Sequence, residues 1–76
     1  MTELLEFLTK ALVEDPDAVK VEEFEEDGDL VYEITVADDD LGRVIGKGGR
    51  VANAIRTIAK AGAVRLERRV IVDILD

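Results

Sequence analysis

The chain has 76 residues, 47% of them apolar, and a formal net charge of −8, which predicts a single folded domain spanning residues 1–76. It contains no cysteine and no histidine, which removes disulfides, thiolate chemistry and the commonest general base and metal ligand, so we expect no enzyme, no metal and no cofactor. Because no apolar run approaches the about 20 residues that cross a bilayer and no signal peptide is visible, we expect a cytoplasmic protein without a membrane partner.

The first half of the chain predicts a helix followed by a β-hairpin. Apolar residues recur at helical spacing over residues 3–14, and Pro16 ends the pattern. The expected core stripe of this helix consists of Leu4, Leu5, Leu8, Ala11 and Leu12. Residues 19–26 and 30–36 predict two strands, the first of them with a broken alternation, and Asp27-Gly28 between them is a strong hairpin-turn signal. The acidic side chains of this hairpin are expected on a solvated outer face.

Three adjacent aspartates, Asp38, Asp39 and Asp40, accompany a short predicted helix at residues 39–45. Consecutive carboxylates point in different directions, and no spaced partner completes a calcium-binding loop. We therefore interpret these residues as a helix cap and first-turn acids rather than as a metal site.

A second long helix is predicted at residues 50–63, and a final strand at residues 69–75. The expected core stripe of the helix is Val51, Ile55 and Ile58, with Ala54 and Ala61 beside it. A second track consists of small residues, Ala52, Ala59 and Ala63. This track reflects either high helix propensity or close packing against a partner subunit, and both interpretations stay open. The final strand is apolar on both faces, which predicts a central position in the sheet.

The segment that links the two predicted C-terminal helices is rich in glycine: Gly46-Lys47-Gly48-Gly49-Arg50. A glycine loop that leads into a helix presents unpaired N–H groups and the positive end of the helix dipole, which suits an anion. A Walker A loop needs four residues between its first glycine and Gly-Lys, but only three separate Gly42 from Gly46. A dinucleotide loop needs glycine where Val51 stands. Both nucleotide-binding motifs are therefore excluded.

Charge is strongly segregated along the chain. Residues 1–40 carry 2 basic and 15 acidic side chains, whereas residues 41–69 carry 8 basic side chains and one acid, Glu67. An asymmetry of this size indicates an anion-binding face on an otherwise acidic body. The alternative is that both charge runs are ordinary solvated faces.

The segment from Val44 to Ile55 resembles the signature of a KH domain: a branched apolar pair, a Gly-x-x-Gly loop, and a helix with apolar residues at fixed offsets. The resemblance covers essentially the whole chain, which is similar to the small single-domain bacterial RNA-binding proteins of the KhpA type. It implies an α+β fold of the type II KH form. That form has the order α-β-β-α-α-β and a three-stranded mixed sheet with helices packed on one face.

The resemblance also implies that the partner is single-stranded RNA, clamped against the loop and an adjacent groove. The residues expected to contact RNA are Gly46, Lys47, Gly48, Gly49, Arg50, Arg43, Val44, Ile45 and Val51, with Ile34 or Val36 as further lining candidates. The family further implies a post-transcriptional regulator or RNA chaperone that forms a homodimer or pairs with a second KH-containing protein. The alternative is a KH-fold protein-interaction module with little RNA affinity, which works through a partner KH protein.

Overall fold

The computed structural model describes residues 1 to 76. Three helices and three strands follow one another in the predicted order, which is thereby confirmed. They are α1 (Thr2–Leu12), β1 (Lys20–Glu26), β2 (Asp29–Thr35), α2 (Leu41–Ile45), α3 (Arg50–Gly62) and β3 (Val70–Leu75). None of the helices has the length and apolar character needed to pass through a membrane.

The three strands form one mixed sheet in the order β1-β2-β3. β1 and β2 are antiparallel and are joined through Asp27 and Gly28, whose φ angles of 53° and 85° belong to a tight hairpin turn. β2 and β3 are parallel, with Leu30 opposite Val70. The prediction that the last strand is central is wrong. β2 lies at the centre and β3 at an edge, because the hairpin leaves one side of β2 free and the chain returns there after α3.

The helices cover one face of the sheet, and the core lies between the two layers. Leu5 of α1, Ile34 of β2 and Val44 of α2 are each 0% exposed. α1 contributes fewer side chains than its apolar stripe predicts, because Leu5 and Thr9 are its buried residues. Leu12, at the end of the helix, remains 40% exposed. The helix therefore contacts the sheet along a narrow line and leaves the rest of its apolar stripe on the surface.

α3 faces the sheet with its small residues. Ala52, Ile55 and Ala59 are the buried residues of this helix, and Ala63 directly after it is 1% exposed. Packing of the alanine track against a partner subunit is therefore wrong, because these methyl groups lie inside the chain's own core. Small side chains let the helix backbone approach the sheet closely, as dense core packing requires. Ile58, expected in the core, is instead 39% exposed.

Two acidic side chains of β1 lie on the helix-covered face of the sheet. Glu23 stands opposite Tyr32 in the strand register and accepts a hydrogen bond from the Tyr32 hydroxyl. Glu25 forms an ion pair with Arg68 at 3.4 Å. Burial, together with the Glu23 carboxylate, raises the pKa of Tyr32 to about 12. Both side chains are exposed, as expected, but strand parity places them on the face that the helices cover and not on the outer face.

Candidate nucleic-acid interface

The glycine loop forms the tight connection between α2 and α3. Gly46 has φ 76° and ψ 170°, and Gly48 has φ 65° and ψ 18°, conformations that residues with a Cβ rarely adopt. A Cβ at Gly46 would lie 2.5 Å from Cγ2 and 2.9 Å from the nitrogen of Val51. A Cβ at Gly48 would meet nothing within 4 Å. Gly46 therefore packs the loop against α3, while Gly48 leaves the centre of the loop open to an approaching molecule.

The loop carries two positive charges that nothing in the chain neutralises. Lys47 and Arg50 are exposed, and neither forms an ion pair. α3 begins at Arg50 without a side-chain cap, so the N–H groups of its first turn have no side-chain acceptor. Two cations next to a helix N-terminus attract an anion, and the open backbone at Gly48 lets it come close.

Three residues expected to line the groove lie in the core instead. Val44 and Ile34 are 0% exposed, and Val36 is 3% exposed. Val44 therefore supports the loop from inside and does not face a ligand. Ile45 and Val51 are half-buried and are the apolar side chains that remain next to the loop.

Arg43 does not add to the unpaired positive charge of the loop. Its guanidinium lies 2.8 Å from Glu14 Oε1 and 3.1 Å from Asp40 Oδ1. The positive charge of Arg43 is therefore neutralised where α2 meets the connection between α1 and β1.

Asp40 organises that same junction. Its carboxylate is 2% exposed and accepts hydrogen bonds from the backbone N–H groups of Glu14 and Asp15, each at 3.0 Å. The pKa of Asp40 is lowered by the hydrogen bonds from the N–H groups of Glu14 and Asp15 and by the charge of Arg43, while burial acts in the opposite direction. Asp40 stands at the N-cap position of α2, as interpreted, but its side chain makes no cap hydrogen bond to that helix.

Arg56 is a basic residue near the edge of the sheet that the sequence did not single out. Its Nε donates a hydrogen bond to the Val72 carbonyl at 3.3 Å, and its Nη1 donates to Asn53 Oδ1 at 3.2 Å. This places a guanidinium in the seam between α3 and β3. No sequence signal identifies the contact, because it depends on the position of β3 at the edge of the sheet.

The helix–strand–strand–helix–helix–strand order, the parallel return of β3 and the Gly-x-x-Gly loop between two helices define a KH domain of type II. A family model described as "KhpA/KhpB, KH domain" matches residues 2–74, and the chain belongs to this family. The family consists of RNA-binding KH domains and not of enzymes. The fold and the family resemblance predicted from the sequence are thereby confirmed.

Proteins named RNA-binding protein KhpA match the chain over its whole length. Those of Caldanaerobacter subterraneus subsp. tengcongensis and Clostridium acetobutylicum are 49% and 48% identical over 75 residues, which is 99% of this chain and 100% of each relative. The protein of Halalkalibacterium halodurans is 45% identical over 76 residues, 100% of both chains.

Among solved structures, Era in complex with MgGDPNP and nucleotides 1506–1542 of 16S ribosomal RNA matches with a TM-score of 0.66 and 24% identity. The match covers 97% of this chain, which spans only 28% of the Era chain. At this level of identity the likeness concerns the fold alone.

Proposed function

We propose that the chain binds single-stranded RNA at the Gly46–Gly49 loop and the apolar surface beside it. The observation that carries the proposal is the open, cationic loop at an uncapped helix N-terminus: Lys47 and Arg50 have no carboxylate partner, and Gly48 has no neighbour that would obstruct a phosphate. Membership of a family whose relatives are named RNA-binding proteins supports the same conclusion.

In this proposal the loop holds the phosphates and the neighbouring apolar side chains contact the bases. The Arg50 N–H already donates to the Lys47 carbonyl, so the N–H groups of the residues that follow it in α3 donate to phosphate oxygens, and Lys47 and Arg50 supply the charge. Ile45 and Val51 contact base faces, and β3 borders the groove, because this strand contacts both α2 and α3. Base stacking on aromatic rings plays no part, because Tyr32 is buried and the other aromatic residues lie on α1 and β1.

The proposal is tested by replacing the centre of the loop. The variant Lys47→Asp/Gly48→Asp reverses its charge and fills the space at Gly48, so we expect affinity for random-sequence single-stranded RNA to fall by at least about tenfold. The control Lys10→Asp/Lys20→Gln makes the same change in net charge with lysines of α1 and β1. Binding is measured by fluorescence anisotropy at low salt, and circular dichroism checks that both variants are folded. Unchanged binding by the loop variant would contradict the loop mechanism.

The dimer is part of the proposal, but its surface differs from the alanine track. An open groove of about 350 Å³ lies between α1 and α3, and Leu8, Leu12, Ala54 and Ile58 are among the residues that line it. Arg50 and Val51 line the end of this groove next to the loop. We propose that a second copy of the chain packs against the rest of the groove, because small domains commonly gain buried apolar surface by association. Light scattering tests this with Ile58→Glu, expected to be monomeric. Thr57→Glu, the next exposed position on α3, is the control expected to remain dimeric. A monomeric wild-type protein at high concentration would exclude the dimer.

A role in post-transcriptional regulation or as an RNA chaperone, a cytoplasmic location, and pairing with a second KH-containing protein complete the proposal. They rest on membership of the KhpA/KhpB family. The competing proposal, a protein-interaction module with little RNA affinity, draws its support from the 15 acidic side chains of residues 1–40. The RNA-binding measurement separates the two, because the interaction module would show no RNA affinity that depends on Lys47 and Gly48.

A further inference from the structure

We propose that the RNA-binding surface does not end at the loop but continues along α3 to Lys60 and Arg65 at the opposite end of the helix. This inference rests on the proposed RNA binding and specifies how far along the protein the RNA strand is contacted.

The distribution of ion pairs singles out this surface. Five of the ten basic residues are paired with a carboxylate. They are Lys10, Lys20, Arg43, Arg68 and Arg69. Four others form neither an ion pair nor a side-chain hydrogen bond: Lys47 and Arg50 at the start of α3, and Lys60 and Arg65 at its end. The tenth, Arg56, lies between these pairs and contacts only neutral oxygen atoms. In an acidic protein, the charge left unneutralised therefore follows one helix.

Arg56 and Lys60 lie on the same side of α3 as the polar residue Asn53. Asn53, Arg56 and Lys60 recur at spacings of three and four, so they lie above one another on the helix surface. The contact of Arg56 with Val72 shows that this side borders the edge strand β3. With 13 residues, α3 is about 20 Å long. No acidic residue occurs from residue 41 to residue 66, so α3 itself carries no carboxylate, and the exposed carboxylate next to this side of the helix is that of Asp73 on β3.

An open cavity of about 610 Å³ lies beyond the end of α3, between that end and strands β1 and β2, with Gly62, Arg65 and Leu66 among its lining residues. Two carboxylates also line this cavity: Glu25 is paired with Arg68, whereas Glu23 accepts a hydrogen bond from the neutral Tyr32 hydroxyl and keeps its negative charge. Arg65 is exposed and forms no ion pair, so its charge is available beside a recess that has both apolar and polar walls. This combination suits the phosphate and base of a nucleotide that lies beyond the loop.

The consequence is a dependence on RNA length. The loop of a KH domain clamps about four nucleotides, so a tetranucleotide held there does not use Lys60 and Arg65, whereas a longer strand does. Each additional cation that neutralises a phosphate on a single strand steepens the salt dependence of log K by about 0.7. Two such contacts also raise affinity for the longer strand by about fivefold, as expected for exposed ion pairs.

The test compares random-sequence RNAs of four and ten nucleotides with wild-type protein and with Lys60→Gln/Arg65→Gln. The control Lys10→Gln/Lys20→Gln removes the same net charge from α1 and β1. We expect the α3 variant to lose about fivefold in affinity for the ten-nucleotide RNA and nothing for the tetranucleotide, with a salt slope shallower by about 1.4 for the longer RNA only. The control variant should match the wild type.

Three results would overturn the inference. They are an unchanged affinity of the α3 variant for ten nucleotides, an equal loss for both lengths, and an equal loss in the control variant. In each of these cases wild-type protein still binds both RNAs, so the proposed function stands while the extension along α3 is rejected. Wild-type protein that binds neither RNA would instead refute the proposed function itself.

Discussion

The variant Gly46→Ala tests the packing of the loop against α3. The backbone of Gly46, at φ 76° and ψ 170°, lies in a region that is essentially reserved for glycine, at a cost of about 1–3 kcal/mol for another residue. The new Cβ would also lie 2.9 Å from the backbone nitrogen and 2.5 Å from Cγ2 of Val51. Such overpacking costs about 1–3 kcal/mol more. Together these effects predict a loss of about 4 kcal/mol in the free energy of unfolding.

Gly48→Ala is the matched control in the same loop. Its φ of 65° is also positive, but its Cβ would meet nothing within 4 Å, so only the left-handed backbone cost of about 1–2 kcal/mol applies. Reduced freedom of the unfolded chain offsets both substitutions equally. The two variants should therefore differ by about 3 kcal/mol in the free energy of unfolding.

Urea denaturation followed by circular dichroism measures this difference. With a denaturant slope near 1 kcal/mol/M for a small domain, the midpoint of Gly46→Ala should lie about 3 M below that of Gly48→Ala. Adding Val51→Ala should restore part of the loss, because it removes the Cγ2 contact and leaves the nitrogen in place. Equal midpoints for the two glycine variants would refute the packing argument. A full rescue by Val51→Ala would show that the backbone contact has no effect.

Four further outcomes are expected. Ala59→Leu should lower the free energy of unfolding by about 1–3 kcal/mol in a urea titration, because Ala59 is 0% exposed. Ala61→Leu on the surface should change the free energy of unfolding by less than about 0.5 kcal/mol, and equal effects of the two substitutions would contradict the buried alanine face. The pKa of Asp40 is lowered, so this carboxylate contributes to stability above its unfolded pKa near 4, and the contribution is lost as pH falls through the lower folded pKa. The melting temperature of Asp40→Asn should therefore fall less steeply with acid than that of wild type. The pKa of Tyr32 is raised to about 12, so stability should be lost as pH rises from about 10 to about 12, and Tyr32→Phe should lose less over that range in a pH series of melting temperatures. Arg43→Gln should leave RNA affinity within about twofold of wild type, because the charge of Arg43 is already neutralised by Glu14 and Asp40. A loss of affinity comparable to that of the Lys47→Asp/Gly48→Asp variant would show that Arg43 contacts RNA.

Features encoded by nearby residues could be predicted from the sequence. The turn at Asp27-Gly28 and the glycine loop are each specified by a few adjacent residues with particular backbone requirements. The order of the helices and strands follows from apolar periodicity, which is also a local property. The positions of the elements and of the central loop residues therefore agree with the structure.

Features that depend on distant parts of the chain could not be predicted in the same way. Hydrophobicity favours Ile58 over Ala59 for the buried face of α3, but the close approach of this helix to the sheet selects the smaller residue. One partner of Arg43, Glu14, lies 29 residues earlier in the chain, which no spacing in the sequence reveals. The edge position of β3 likewise depends on which side of β2 the hairpin leaves free.

The parallel pairing of β2 with β3 has a consequence for how the protein assembles. Leu30 pairs with Val70 and Thr35 with Leu75, so every contact in this ladder closes a loop of 40 residues, whereas the β1–β2 hairpin closes through a two-residue turn. Closing the longer loop has a greater entropic cost and is intrinsically slower, so we expect β3 to join the sheet after the hairpin has formed. The glycine loop and all of α3 lie within that 40-residue connection. We therefore expect the proposed RNA-binding surface to take its final position against the sheet only when β3 docks.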